Sequence, residues 1–233
     1  MKTTLHFLRF VIAALLLAAF PARAQKVGST SMQYLSVIPS ARAAAMGNAY
    51  AAIARGAEGI FWNPAGMALT QGQELSTTYI RWIFDARQYA LAYAVSLGDI
   101  GTVGAQLQFN DYGSFDEAIV GSGGTDIFPG QEYPYLTGRT FRPYSYVAGL
   151  SYATRLTERF STGITVKYTH ESLYDQAEVF VREDTVRQSN MNTFGKTLLF
   201  DSGIHYKTGV HTSQIGASVQ NFGPDIQYAK DRS

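Results

Sequence analysis

The stretch YSYVAGLSYATRLTERFSTGITVKY, residues 144–168, decides the fold class. Tyr144, Tyr146, Ala148, Leu150 and Tyr152 alternate with Ser145, Val147, Gly149 and Ser151. After a short polar break, Ile164, Val166 and Tyr168 alternate with Gly163, Thr165 and Lys167. A period of two is the signature of extended strands. Working outward, the same alternation runs through Tyr89–Val95, Val103–Phe109, Phe200–Tyr206 and Ile215–Val219. With Glu74–Trp82 as a weaker first strand, seven strands are expected. A strand–turn–strand unit recurs at 90–109, 148–168 and 202–222. Each unit has an aromatic before its turn (Tyr93, Tyr152, Tyr206) and another 16 residues later (Phe109, Tyr168, Phe222). The fold class is all-β and antiparallel.

Alternation leaves two solvents to choose between. A soluble sandwich turns its apolar face inward; a transmembrane barrel turns it to lipid and its polar face to the lumen. Short turns within units and long polar segments between them, 111–143 and 171–196, give the asymmetry of an outer-membrane barrel with periplasmic turns. The aromatics sit near strand ends, at the height of headgroup girdles. Tyr144 to Tyr152 spans about 26 Å at roughly 3.3 Å per residue. A tilt of about 40° brings that to roughly 20 Å, near the apolar band of about 25 Å.

Composition agrees. Among 233 residues, 46% are hydrophobic and only 16% charged, with 15 Tyr, 14 Phe and 22 Gly. There is no cysteine, which excludes disulfides, thiolate nucleophiles and cysteine zinc sites. Residues 1–24 read as a secretory signal peptide: Lys2 and Arg9, an apolar stretch from Phe10 to Phe20, and Ala22-Arg23-Ala24 before Gln25. Its removal leaves 16 basic against 18 acidic residues, a balance that offers nothing to nucleic acid.

Residues 25–72 are Ala- and Gly-rich, and 73–233 form the expected wall. Ser40 is placed to cap a short helix over 41–54. Pro64 biases Asn63 towards extended backbone, and Gly66 permits a tight turn. Five strands each put a glycine on the inward face: Gly104, Gly149, Gly163, Gly203 and Gly216. Strand glycines mark either bends or the close approach of another backbone. The sharper expectation is a seat for the Ala-rich segment, packed inside as a plug.

The block SARAAAMGNAYAAIA (40–54), followed by GIFWNPAGMA (59–68), resembles the N-terminus of the PorV/PorQ family of outer-membrane β-barrels, which are related in shape to the FadL fatty-acid channel. The resemblance continues through 149–168 and through GASVQNFGPDIQY (216–228). It implies a fourteen-stranded barrel with an N-terminal hatch, in which Met46, Gly47, Trp62, Asn63, Pro64, Ala65 and Gly66 form the hatch motif. It implies a non-enzymatic binding or shuttle role in type IX-like secretion. Outer-membrane lipid, secreted cargo and other secretion components are the implied partners, and no cofactor is implied. The alternative is a FadL-like transporter of hydrophobic small molecules. Seven strands are half of fourteen, so a truncated wall is expected; the alternative is that loop segments such as 177–182 add strands and close a smaller barrel.

His205 shares the inward face with Asp201 and Lys207 as a candidate lumen cluster. His170 and Ser172 form a His-x-Ser pair that could activate a hydroxyl. Asp111, Asp116, Glu117 and Asp126 crowd one loop without EF-hand spacing. Phe115, Phe128, Tyr133, Tyr135 and Phe141 in that loop suit either partner binding or a self-packed lid. No phosphate loop, dinucleotide fingerprint or zinc-protease motif is present.

Overall fold

The computed structural model describes residues 32–37, 39–121, 133–174, 178–182, 185–189, 193–224 and 226. The expected signal peptide, Asp126 and Phe128 lie outside them, as do the side chains of Tyr133 and Tyr135.

Seven strands form one antiparallel sheet: β1 (Gln73–Arg81), β2 (Arg87–Ser96), β3 (Thr102–Asp111), β6 (Tyr144–Arg155), β7 (Phe160–Tyr174), β10 (Thr193–Lys207) and β11 (Gln214–Phe222), neighbouring in that order. β1 and β11 are its two edges. The long connections carry hairpins of their own. β4 (Phe115–Gly121) pairs with β5 (Tyr133–Phe141), and β8 (Glu178–Arg182) with β9 (Thr185–Ser189). The segment around 178–182 therefore is a strand, but it bonds its own loop neighbour and adds nothing to the main sheet. Phe115 and Phe141 stack at 5.7 Å, and Phe141 meets Tyr174 edge-on at 5.1 Å, so these loop aromatics pack on one another.

The two faces differ as the alternation requires. One is bare and apolar: Leu75, Tyr79, Leu107, Leu150, Ile164, Leu198 and Ile215 are all exposed, Leu150 to 71%. The other is covered and made of small or polar groups, including Ala92, Ala94, Ser151, Thr165, Lys167, Asp201 and His205, all buried. No helix among the described residues is long and apolar enough to cross a membrane.

The cover is the N-terminal segment. Ser40 Oγ accepts from Ala43 N at 3.1 Å and caps a helix, but that helix runs only Ala41–Ala45, not to residue 54. Gly47 (φ +62°) and Asn48 (φ +67°) adopt left-handed backbone and end it. Two 3-10 turns follow, Ala57–Phe61 and Pro64–Leu69. Ala57, Ile60, Phe61, Trp62, Met67 and Ala68 form a buried cluster with Ala90, Ala92, Ala94 and Ala153 of the sheet. Alanine rows on β2 leave room for the larger side chains above them.

Candidate functional site

The contact between segment and sheet is the most specific construction in the molecule. Asn63 is fully buried and satisfies three backbone groups. Its Nδ2 donates to Ala51 O and to Ile204 O, both at 2.9 Å, and its Oδ1 accepts from Ala65 N at 3.1 Å. Pro64 opens the next turn, where a missing N–H costs nothing. Gly66 is pressed on Ala54: a Cβ there would lie 2.8 Å from Ala54 C. Asn-Pro-Ala-Gly is thus one backbone clamp, with Asn as bracket, Pro as first turn and Gly as point of closest approach. Trp62 lies edge-on to Tyr50 at 5.7 Å, and Arg42 sits over the Tyr50 ring at 5.7 Å. Burial, and then the neighbouring Glu58 carboxylate, push the Tyr50 phenol above its ordinary pKa.

Four of the five inward glycines face this segment. A Cβ at Gly104 would meet Ile60 Cδ1 and Met67 Sδ at 2.8 Å. At Gly163 it would meet Pro64 C at 2.5 Å and Ala65 N at 2.6 Å. At Gly216 it would meet Ala51 O and Ala52 Cα, both at 2.5 Å, and at Gly203 the Asn63 side chain and Pro64. Gly149 differs: its neighbours are the Gln106 and Lys167 side chains, so it makes room for polar wall residues rather than for the segment. Met46 and Gly47 also stand apart. Met46 is exposed, and a Cβ on Gly47 would touch nothing within 4 Å.

Several residues of this contact carry no motif of their own. Gln220 Nε2 donates to Phe61 O at 2.9 Å and to Trp62 O at 2.5 Å. Asn221, in left-handed backbone at φ +57°, accepts from Lys167 Nζ at 2.5 Å and donates its N–H to Asp201 Oδ1 at 2.7 Å. Lys167 and Asp201 form a buried ion pair at 2.8 Å. Glu74 Oε2 accepts from Ala57 N at 3.2 Å. The available signal was a lone polar residue at an inward strand position, which also describes ordinary lumen lining.

His205 does not join Asp201 and Lys207 in a cluster. Asp201 is taken by Lys167, and Lys207 is exposed at the strand end. His205 is fully buried, and its Nε2–H faces Ala52 O at 3.0 Å and Gln214 Oε1 at 3.2 Å. The same Gln214 oxygen accepts from Arg55 at 2.9 Å. His205 is a tether for the segment. His170 lies among the rings of Tyr144, Tyr146 and Phe194, while Ser172 is buried. Asp111 is held by Arg142, and Glu117 by Arg139 at 2.6 Å. No group of three or more potential metal ligands occurs among the described residues.

A family model described as type IX secretion system protein PorV matches residues 20–232. No curated protein matches the chain. The match spans both the clamped segment and all seven strands that hold it, and on that extent the chain belongs to the PorV family of type IX secretion system proteins.

Proposed function

We propose that the chain is an outer-membrane wall whose bare face meets lipid, with residues 39–72 acting as a hatch on the lumen face, and that it serves secretion by binding rather than by chemistry. The carrying observation is the division of the sheet. Exposed Leu, Ile, Val and aromatic side chains occupy one face of all seven strands, and the buried polar face is occupied by a segment of the same chain. Placing the exposed face in water would leave far more contiguous apolar surface than the few hundred Å² a soluble monomer tolerates; acyl chains remove that cost. The family match supports a part in type IX secretion; the shuttle is the form we propose for it, with secreted cargo and other secretion components as partners. Affinity purification of the full chain from detergent-solubilised membranes, followed by mass spectrometry, tests it. Large secreted proteins should co-purify; their absence, with only lipid recovered, refutes the shuttle.

One observation favours the second reading, transport of hydrophobic small molecules. A cavity of about 560 Å³ lies beside residues 33–37, walled by Tyr34, Val37, Trp82, Phe115, Pro143 and Leu173. That volume and apolar lining suit a small ligand. Saturable uptake of a fluorescent fatty acid by the purified chain in vesicles would support this reading over the first.

A further inference from the structure

At the end of the sheet that bears the hairpin connections, the bare face finishes in two successive rungs. The first is aromatic. Tyr79, Tyr89, Phe109, Tyr146 and His170 follow one another in register across β1, β2, β3, β6 and β7. Ring centroids are 5.1 Å apart for Tyr79–Tyr89, 6.4 Å for Tyr89–Phe109 and 5.2 Å for Tyr146–His170. The next rung, about 7 Å further at two residues along the strand, is charged on β1, β2 and β3 and continues as Tyr144 and Ser172 on β6 and β7. Arg81 stands directly opposite Arg87, and Arg87 directly opposite Asp111.

Like charges directly opposite on one face destabilise an antiparallel pair. The neighbouring carboxylates relieve only part of this. Arg81 reaches Asp85 at 3.3 Å, and Arg142 holds Asp111, its Nε 2.9 Å from Oδ1. Arg87 has no ion pair among the described residues. Three guanidiniums therefore face two carboxylates. The turn between the strands adds two further costs. Phe84 and Asp85 sit at φ +57° and +59°, where hairpins ordinarily place Asn or Gly and where a bulky residue is strained. Ile83 and Phe84 are 75% and 84% exposed. Strain of this kind persists where the local structure serves a purpose.

We propose that Arg81 and Arg87 bind the anionic phosphate of a membrane lipid headgroup, with Ile83 and Phe84 set against the same lipid layer. The inference rests on the membrane reading of the bare face. An aromatic row marks headgroup depth in a membrane-spanning barrel, and the charged rung lies just beyond it. A guanidinium fork matches phosphate oxygens two at a time. The like-charge pair is then relieved by the ligand, while the acyl chains lie along Tyr79, Tyr89 and Leu91. A free phosphate would gain the first contact but not the second.

Trp82 adjoins the site and is half-exposed, whereas the chain's other tryptophan, Trp62, is buried. The full chain, folded in maltoside detergent, is titrated with dioleoylphosphatidic acid, dioleoylglycerol or inorganic phosphate, and Trp82 fluorescence is read against a Trp82→Phe variant. The expected result is saturable binding of phosphatidic acid, weakened about tenfold in Arg81→Gln and in Arg87→Gln, with Arg87→Lys between, since each glutamine removes a charge-assisted fork from the phosphate and the lysine keeps the charge without the fork. Dioleoylglycerol and inorganic phosphate should each bind at least about tenfold more weakly. Unchanged phosphatidic acid affinity in both glutamine variants overturns the proposal, and so does equal affinity for inorganic phosphate. Flotation with phosphatidylcholine vesicles, with quenching of Trp82 by brominated acyl chains, tests the membrane reading separately. A chain that floats but ignores the headgroup phosphate loses this inference alone; a chain that does not float loses both.

Discussion

Replacing Gly163 by Ala isolates the grip of the sheet on the N-terminal segment. Gly163 sits in the middle of β7, paired on one side with Ala153 and on the other with Gly203, so the ladder holds it in place. The new Cβ would lie 2.5 Å from Pro64 C and 2.6 Å from Ala65 N, both backbone atoms of a proline-led turn. Ordinary contact near 3.4 Å requires the segment to lift by about 0.9 Å. A gap of that size forfeits a quarter to a half of each dispersion contact, by the usual distance dependence. It also stretches the Asn63–Ile204 and His205–Ala52 hydrogen bonds, now 2.9 and 3.0 Å. Overpacking of this kind costs about 1–3 kcal/mol. The whole of that cost falls on docking, because β7 is formed whether the segment is docked or lifted, and the lifted population should rise between about fivefold and about a hundredfold. Limited trypsinolysis after the exposed Arg55, in the detergent-folded chain, reads that population. Gly149→Ala is the control, because its Cβ would meet only the Gln106 and Lys167 side chains of the wall, at 2.9 to 3.0 Å, and nothing of the N-terminal segment. Equal cleavage of Gly163→Ala and wild type, or equal acceleration in Gly149→Ala, would refute the reasoning.

Three other perturbations follow from the same geometry. Asn63→Leu leaves the carbonyls of Ala51 and Ile204 without their donor and Ala65 N without its acceptor; a loss of about 3 kcal/mol or more is expected at roughly 1–3 per buried unsatisfied group, seen as a fall in thermal midpoint and faster hydrogen exchange around residues 51–66. Lys167→Met should cost about 3–5 kcal/mol by leaving Asp201 buried and unpaired, and the double variant with Asp201→Leu should recover much of it; a single variant as costly as the double would count against the pair. Burial, and secondarily Glu171, push the Tyr112 phenol up to about 12. A raised folded-state value means its stabilisation is complete below the ordinary tyrosine pKa near 10 and is lost between about 10 and 12. Absorbance titration at alkaline pH should show a late tyrosine step near 12, and Tyr112→Phe should remove it while leaving any lag of Tyr50.

Six of the seven strands were legible because apolar and small or polar residues alternate along them, and no tertiary knowledge is needed to read a period of two; β1, with Ser76, Thr77 and Thr78 in a row, carries the pattern more weakly. β6 runs past the alternating core to Arg155 at its short-turn end, and β7 runs past it at both ends, from Phe160 to Tyr174. The helix expected over 41–54 spans only Ala41–Ala45. Its alanines favour helix, but Gly47 and Asn48 take left-handed backbone and stop it after Ala45. The hairpin β8–β9 reads as strand in sequence, and only the pairing tells that it bonds within its own loop. The clamp residues Asn63, Pro64 and Gly66 stood out through turn chemistry. Lys167, Asp201 and Gln220 did not, since a single polar residue facing a lumen looks the same whether it meets water, a partner charge or a peptide carbonyl. Gly149 shows the converse limit, because a missing side chain does not say whose atoms fill the space.

The clamped segment touches both extremes of the sheet: Glu74 at the start of β1, and Gln220 near the end of β11, 159 residues after Phe61. Contacts so distant along the chain form late in folding. A polypeptide delivered amino end first therefore carries this stretch unsatisfied until β11 is in place. In any intermediate lacking β11 the Gln220 bonds to Phe61 and Trp62 are still unmade, leaving those residues open to proteases and holding chaperones.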